Sequence, residues 1–263
     1  MFSSSMAAGR LTMAHLVILC FTWSSSAYLV GAWTGPSAFR PGTLTSPRMM
    51  TVMPDDFAPP VATFGVPDER VLQTTIQWVQ DAVVGLNLCP FAEAPLRAGA
   101  IRVAITRAET VEDLLGCVDV ECAGLLATPE EDVATTLVVA PHLDIDFVAF
   151  HHSVAGLEDE DILEEAFPGY ADRIMVVCFH PHHAWAGVPE NDALNYEKRA
   201  PFPIVNLLRT TMVDKAIQAG LTVDIAERNQ ARLRLEGIEK LQAVYAQLRA
   251  TAAGNSAEHS PKT

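Results

Sequence analysis

Two residues have the types that covalent catalysis needs. Cys89 ends the run Gly85-Leu86-Asn87-Leu88-Cys89-Pro90-Phe91, and His180 opens His180-Pro181-His182-His183. A thiol nucleophile with an imidazole base is one chemistry such a pair could perform, and His180 alone could act as a general acid or base near neutral pH. Two features oppose a reactive thiol. Cys89 closes a helical stretch, where partial negative charge disfavours thiolate, and its neighbours Leu88 and Phe91 are apolar. A buried structural cysteine is the competing reading.

Cations gather in and after the long loop His180–Pro203. Arg199 lies within it, and Arg209 and Arg228 lie on the elements that follow. The planar fork of arginine suits carboxylate or phosphate, so an anion pocket is one expectation. Structural ion pairs with Glu190, Asp192, Glu197 and Glu227 are the other. Asn195 and Tyr196 sit among these charges and could orient a bound molecule. His180 and His182 are two apart, and Asp192 or Glu197 could join them on a metal. There is no HExxH and no cysteine pair, so solvated loop histidines are the favoured reading and no metal ligand is assigned. Cys117 and Cys122 are five apart on one predicted helix and diverge too far for a disulfide. GxGxxG, P-loop and GxSxG signatures are missing, and the cofactor stays unknown.

Strands and helices must position these groups. Ile101–Thr106, Thr135–Ala140 and Ile174–Phe179 are short β-rich runs, the last so apolar that it reads as central and covered on both faces. Helical periodicity follows Asp68, with Ile76, Val79, Val83 and Leu86 inward. It recurs after Thr110, whose Asp113 completes a capping box, and after Asp144 or Asp146. Glu160–Phe167, Thr211–Ala219 (with Thr211 and Asp214 as capping box) and one long helix from Asp224 to about Arg249 complete the set. A weak strand near Val61–Phe64 is a further expectation. The alternation predicts an α/β fold: a small three-stranded parallel sheet, βαβαβ, flanked by helices. Ligands bind beyond the carboxyl ends of parallel strands, which would put Arg107, His142 and His180 at one edge under the long loop His180–Pro203.

The chain has 263 residues and a formal net charge of −14. Its first 48 residues carry three arginines and no acid, leaving 15 bases against 32 acids in the remainder. That surface disfavours nucleic acid and anionic lipid, so no nucleic-acid partner and no membrane association of the mature form are expected. Leu11–Trp23 fits a signal-peptide core. Ser37-Ala38-Phe39-Arg40-Pro41, followed by a hydroxyl-rich, acid-free stretch, resembles the junction of a bipartite plastid presequence. The expected organisation is a signal peptide over 1–38 and a transit-like segment over 39–54. A Pro-rich arm over 55–67, one α/β domain over 68–250 and a disordered tail over 251–263 follow. The expected destination is the plastid stroma, reached by secretory entry, with plain secretion as the alternative. Unpaired cysteines suit a reducing compartment.

Trp78…Gly85-Leu86-Asn87-Leu88-Cys89-Pro90-Phe91, Thr135-Thr136-Leu137 ending in Pro141, Phe179-His180-Pro181 with Ala186-Gly187, Asn195-Tyr196…Arg199…Pro201-Phe202-Pro203…Leu207-Leu208-Arg209 and Glu227-Arg228-Asn229 form an ordered set. Together they resemble the family catalogued as domain of unknown function 1415, over about Asp68 to Leu241. The resemblance implies no activity. It marks Cys89, His180, Asn195, Tyr196, Arg199, Arg209, Arg228 and Asn229 as motif positions, and so adds Asn229 to the binding set. His182, His183 and Trp185 fall where the family pattern has other residues, which weakens a metal reading. Ala200, Asn206 and Thr210 replace the Ser, His and Glu of that pattern.

The first functional expectation is an enzyme acting on a small anionic metabolite. Cys89 and His180 would be catalytic, and Asn195, Tyr196, Arg199, Arg209, Arg228 and Asn229 would bind. The second is a noncatalytic ligand-binding or regulatory module using the same arginines. The third is an interaction protein with Trp185 and Phe202 exposed as one apolar patch.

Overall fold

Three apolar runs, and a fourth that the sequence does not advertise, make the sheet. The computed structural model describes residues 49–51 and 66–254. The signal and transit segments (save Met49–Thr51), most of the Pro-rich arm, the weak strand near Val61–Phe64 and the tail beyond Gly254 lie outside the described residues. In chain order the strands are β1 (Met49–Thr51), β2 (Ile101–Ile105), β3 (Thr135–Val139), β4 (Ile174–Phe179) and β5 (Ile204–Arg209). β2 to β5 form a four-stranded mixed sheet, with β1 antiparallel on the edge of β2, in the order β1-β2-β3-β5-β4.

The expected three-stranded parallel sheet is therefore corrected. β2 and β3 are parallel neighbours, but β5 lies between β3 and β4 and is antiparallel to both. Ile174–Phe179 is the last strand of the sheet, not a central one. It is nonetheless buried because helices cover both its faces. β5 escapes a sequence reading because it starts directly after Pro203 and runs into a helix without a breaker. Proline is well tolerated just before a strand, where its missing N–H is not needed; the Pro203 carbonyl instead accepts from Ala140 N at 3.0 Å.

The helices are α1 (Asp68–Trp78), α2 (Glu93–Ala98), α3 (Val111–Ala127), α4 (Phe147–Ser153), α5 (Glu160–Ala166), α6 (Thr210–Gln218), α7 (Ile225–Glu236) and α8 (Ile238–Ala253). α3 starts as expected: Thr110 Oγ1 accepts from Asp113 N at 3.1 Å and donates to the Asp113 carboxylate at 2.8 Å. Asp146 caps α4 by accepting from Ala149 N at 2.8 Å. The capping box at Thr211 is not formed, because α6 begins one residue earlier and Thr211 donates to Glu130 instead. The long last helix is two helices. Gly237 has φ 76° and ψ 156°, a conformation essentially reserved for glycine, and it breaks the run.

α3, α4 and α5 pack on one face against Val138, Val176, Cys178, Val205 and Leu207. α1, α7 and α8 pack on the other against Ile101, Val103, Leu137, Val139 and Ile204. Because β5 is antiparallel to both neighbours, β2, β3 and β4 still run the same way. Arg107, His142 and His180 accordingly stand at one edge, as the alternation implied.

Candidate functional site

A cleft opens on the face covered by α1, α7 and α8. It encloses about 820 Å³ including its mouth. Ile101, Leu137, Leu208 and the Thr135–Asn206 pair line its floor, with the Thr135 hydroxyl 2.7 Å from the Asn206 amide oxygen. Trp78, Val79, Ala82 and Val83 line one wall. This stretch is not regular α-helix: Val79–Val84 forms a π-helical turn, a feature that recurs at functional sites. A Cβ on Gly85 would meet the Asp81 carbonyl oxygen at 2.4 Å, so glycine is required there. Asn87, at φ 54°, then turns the chain, and Leu88, Cys89 and Phe91 continue the wall. Asparagine is among the few residues that adopt this conformation readily.

The opposite wall is the short 3₁₀ segment Ala193–Glu197 with α7 and α8 behind it. Trp78 Nε1 donates to Tyr245 OH at 3.2 Å and to the Arg199 carbonyl at 3.1 Å, and Tyr245 OH donates to that carbonyl at 2.6 Å. This triangle ties α1, the loop and α8 together. Phe179 meets Trp78 edge-on at 5.1 Å, and Tyr196 meets Tyr245 edge-on at 4.9 Å.

Glu197 is the acidic group in this apolar wall. Asn229 Nδ2 donates to its Oε1 at 3.0 Å and to the Leu88 carbonyl at 2.8 Å. Glu197 has no ion-pair partner among the described residues; adjacent Lys198 binds Glu158 at 2.7 Å instead. Burial raises the Glu197 carboxyl to about 7, against the weaker downward pull of the Asn229 bond and of Lys198. From the sequence alone Glu197 reads only as an arginine's ion partner or a metal ligand. Its place in the Asn195–Arg199 block, with no arginine at helical spacing, was the available signal.

Cys89 lines the cleft, but burial pushes its thiol up to about 11. The Phe91 and Ala92 backbone amides and nearby Arg228 pull it down less strongly. His180 is elsewhere. β4 alternates, so Phe179 faces the cleft while His180 faces the other side, against Phe150 at 5.0 Å and Phe147 at 5.7 Å. Its Nε2 lies 3.1 Å from the Ile145 carbonyl, and its Nδ1 accepts from His182 N at 3.1 Å. That pattern fixes a neutral ring, and desolvation lowers its pKa. The structure does not bring Cys89 and His180 together.

Asn195 is fully buried and organises the loop: it accepts from Trp185 N at 2.9 Å and donates to the carbonyls of Pro189 and Glu190. Arg199 donates to the carbonyls of His183 and Glu190 and covers the Tyr196 ring at 4.7 Å. Arg209 lies at the opposite edge of the sheet, bound to the carbonyls of Leu125, Thr128 and Val133. Neither makes the ion pair that one reading expected. Arg228 differs: its Nε and Nη2 are buried with no hydrogen-bond partner among the described residues. Of the three departures from the family pattern, Asn206 is in the cleft floor, Ala200 is buried on the same face and Thr210 starts α6. Phe202 is buried and Trp185 is half-buried, so they form no joint exposed patch.

Among the described residues there is no cluster of three or more metal-ligating side chains, and no helix is long and apolar enough to cross a membrane. No curated protein and no solved structure gives a significant match to the chain. A family model does, over residues 70–243, two thirds of the chain: this protein belongs to the family described as protein of unknown function DUF1415.

Proposed function

We propose that this protein is an enzyme that binds a small, largely apolar molecule in the cleft and moves a proton with Glu197. One observation carries the reading: a carboxyl group opens onto an apolar, aromatic cavity, held by the Asn229 amide and without an ion-pair partner among the described residues. Such a group exchanges a proton readily near neutral pH. The Asn229 bond to Oε1 fixes its orientation and leaves Oε2 for a ligand. The low polarity of the walls strengthens any charge interaction with the reacting group. Asn206, with one end of its amide on Thr135, supplies a polar anchor in the floor. The Cys89–His180 version of the chemistry is not retained, because the two side chains lie on opposite sides of the sheet.

The test is turnover. The full chain is incubated with a pooled small-molecule library and consumed compounds are identified by mass spectrometry. Glu197→Gln should stop consumption while the compound still binds. A variant as active as the parent would refute the proton-transfer role. A noncatalytic binding module is the second reading, favoured by the protonated Cys89 thiol and the engaged His180 ring. It predicts binding without consumption in both proteins.

We further propose that the chain is imported into the plastid stroma. The Ser37-Ala38-Phe39-Arg40-Pro41 junction and the acid-free stretch around it support this. A full-length fluorescent fusion that is secreted would contradict it.

A further inference from the structure

Three arginines stand near the cleft in sequence, and two of them are committed elsewhere. Arg199 and Arg209 direct their guanidinium groups at backbone carbonyls, which fix loops. Arg228 has no such bonds. Its Nε and Nη2 are buried without a partner, and it makes no ion pair among the described residues, although the chain is strongly acidic. Arg228 as a whole is half-buried, but buried guanidinium nitrogens without an acceptor are costly, so these two point to a missing anion.

Its place in the fold says where that anion goes. Arg228 is in the first turn of α7. Three residues earlier, at the first position of α7, Ile225 packs with Phe91, and Cys89 packs against that pair. One residue later, Asn229 is tied to Leu88 at 2.8 Å. The turn that carries Arg228 is thus fastened to the Leu88–Phe91 wall; Arg228 stands behind that wall rather than lining the cleft, near enough for its charge to draw on the Cys89 thiol. The Asn229 Oδ1 atom beside it is also buried and unpartnered.

We propose that Arg228 is an anion-binding residue at this corner, and that the cleft takes an apolar-bodied small molecule ending in a carboxylate. A rotation about the arginine side-chain torsions presents its fork to the cleft, where two parallel N–H···O bonds match a carboxylate. A carboxylate rather than a phosphate is the fit. One unpaired cation balances one negative charge, and an apolar wall that already holds Glu197 would strongly disfavour a dianion. This ligand class rests on the reading of the cleft as a binding site, but not on Glu197 as the proton-transfer group.

The experiment uses the full chain and two matched probes, 3-phenylpropanoate and its neutral amide, with affinities measured by ligand-observed NMR. The acid should bind at least about tenfold more tightly than the amide, the scale of one charge-assisted bidentate contact. Arg228→Gln should erase that preference, Arg228→Lys should keep part of it, and Arg199→Gln should keep it whole. Equal affinities in the parent protein would overturn the inference and leave the cleft reading standing. Loss of the preference in Arg199→Gln instead would also overturn it, by moving the anion to the other arginine. Binding of neither probe would overturn both. Because the acid–amide comparison is made in the parent protein, a poorly folded Arg228→Gln does not remove the test.

Discussion

On the face covered by α3, α4 and α5, buried charges meet opposite charges. Arg102 grips Glu121 through two contacts of 2.8 and 3.0 Å, with both side chains at most 5% exposed. Lys198 grips Glu158, whose Oε1 also accepts from the backbone N of Cys178 at 2.6 Å. On the face covered by α1, α7 and α8, Glu197 and Arg228 form no ion pair among the described residues. The difference separates charges that hold the fold from charges that wait for something outside it. A paired ion has its field cancelled at short range. An unpaired one near a cavity keeps a free energy that a ligand can recover.

The contrast can be broken most forcefully at its paired side. Glu121→Gln should strand Arg102 in the core and lower stability by about 3–5 kcal/mol in chemical denaturation. The double replacement Arg102→Met, Glu121→Leu should recover most of that loss. A loss under about 1 kcal/mol in the single variant would mean that the pair is not load-carrying in the fold.

Next come two opposite pH effects. Burial raises Glu197 to about 7 in the native state, above its unfolded value. Its contribution is therefore fullest below the unfolded value of about 4.3 and declines as pH rises to about 7. Full linkage over that interval is about 3.7 kcal/mol, which solvent reaching the half-buried carboxyl reduces, so Glu197→Gln should be more stable than the parent at pH 8 by about 2 kcal/mol, and equal to it at pH 4. His183 runs the other way. Lodged between Phe147 at 4.8 Å and Trp185 at 4.6 Å, it is driven down to about 2 by burial, with Lys198 adding repulsion. Its stability is complete above the unfolded value of about 6.5 and falls by about 1.4 kcal/mol per pH unit below it. His183→Leu should flatten the acid limb of the stability profile, measured by thermal melting from pH 7 to 5. An unchanged acid limb would refute this.

Smaller still is the effect at Cys89. With its thiol at about 11, it should alkylate slowly in the folded protein at pH 7.5 and rapidly only after denaturation. Fast labelling of the native chain would return the thiol to the catalytic argument. The smallest effect belongs to the exposed Arg97–Glu93 pair, where Arg97→Ala should change stability by less than about 0.5 kcal/mol.

Much of the scaffold is legible in the sequence because it obeys local rules. Thr110 with Asp113, and Asp146 with Ala149, cap their helices through contacts within three residues. Ile101–Ile105, Thr135–Val139 and Ile174–Phe179 are strands because their apolar runs leave little else to do. What the sequence hides is set by distant partners. β5 is a strand because Thr135–Val139 and Ile174–Phe179 both need a neighbour, not because of its own pattern. The same holds for the site. Cys89, Tyr196, Arg199 and Asn229 can be picked out by type and motif, and all four line the cleft. Which arginine is free depends on where the His183, Glu190, Leu125 and Thr128 carbonyls arrive, and Glu197 is unpaired because adjacent Lys198 is taken by distant Glu158. No local spacing encodes that.

The central claim is that Glu197 exchanges its proton near neutral pH inside the cleft. The direct measurement is a carbon-detected NMR titration of the full chain labelled with carboxyl-¹³C glutamate, with Glu197→Gln identifying the resonance. A midpoint near 7 is the expected result. A midpoint in the ordinary range around 4.3 would show that the carboxyl is solvated or paired, and would contradict the account.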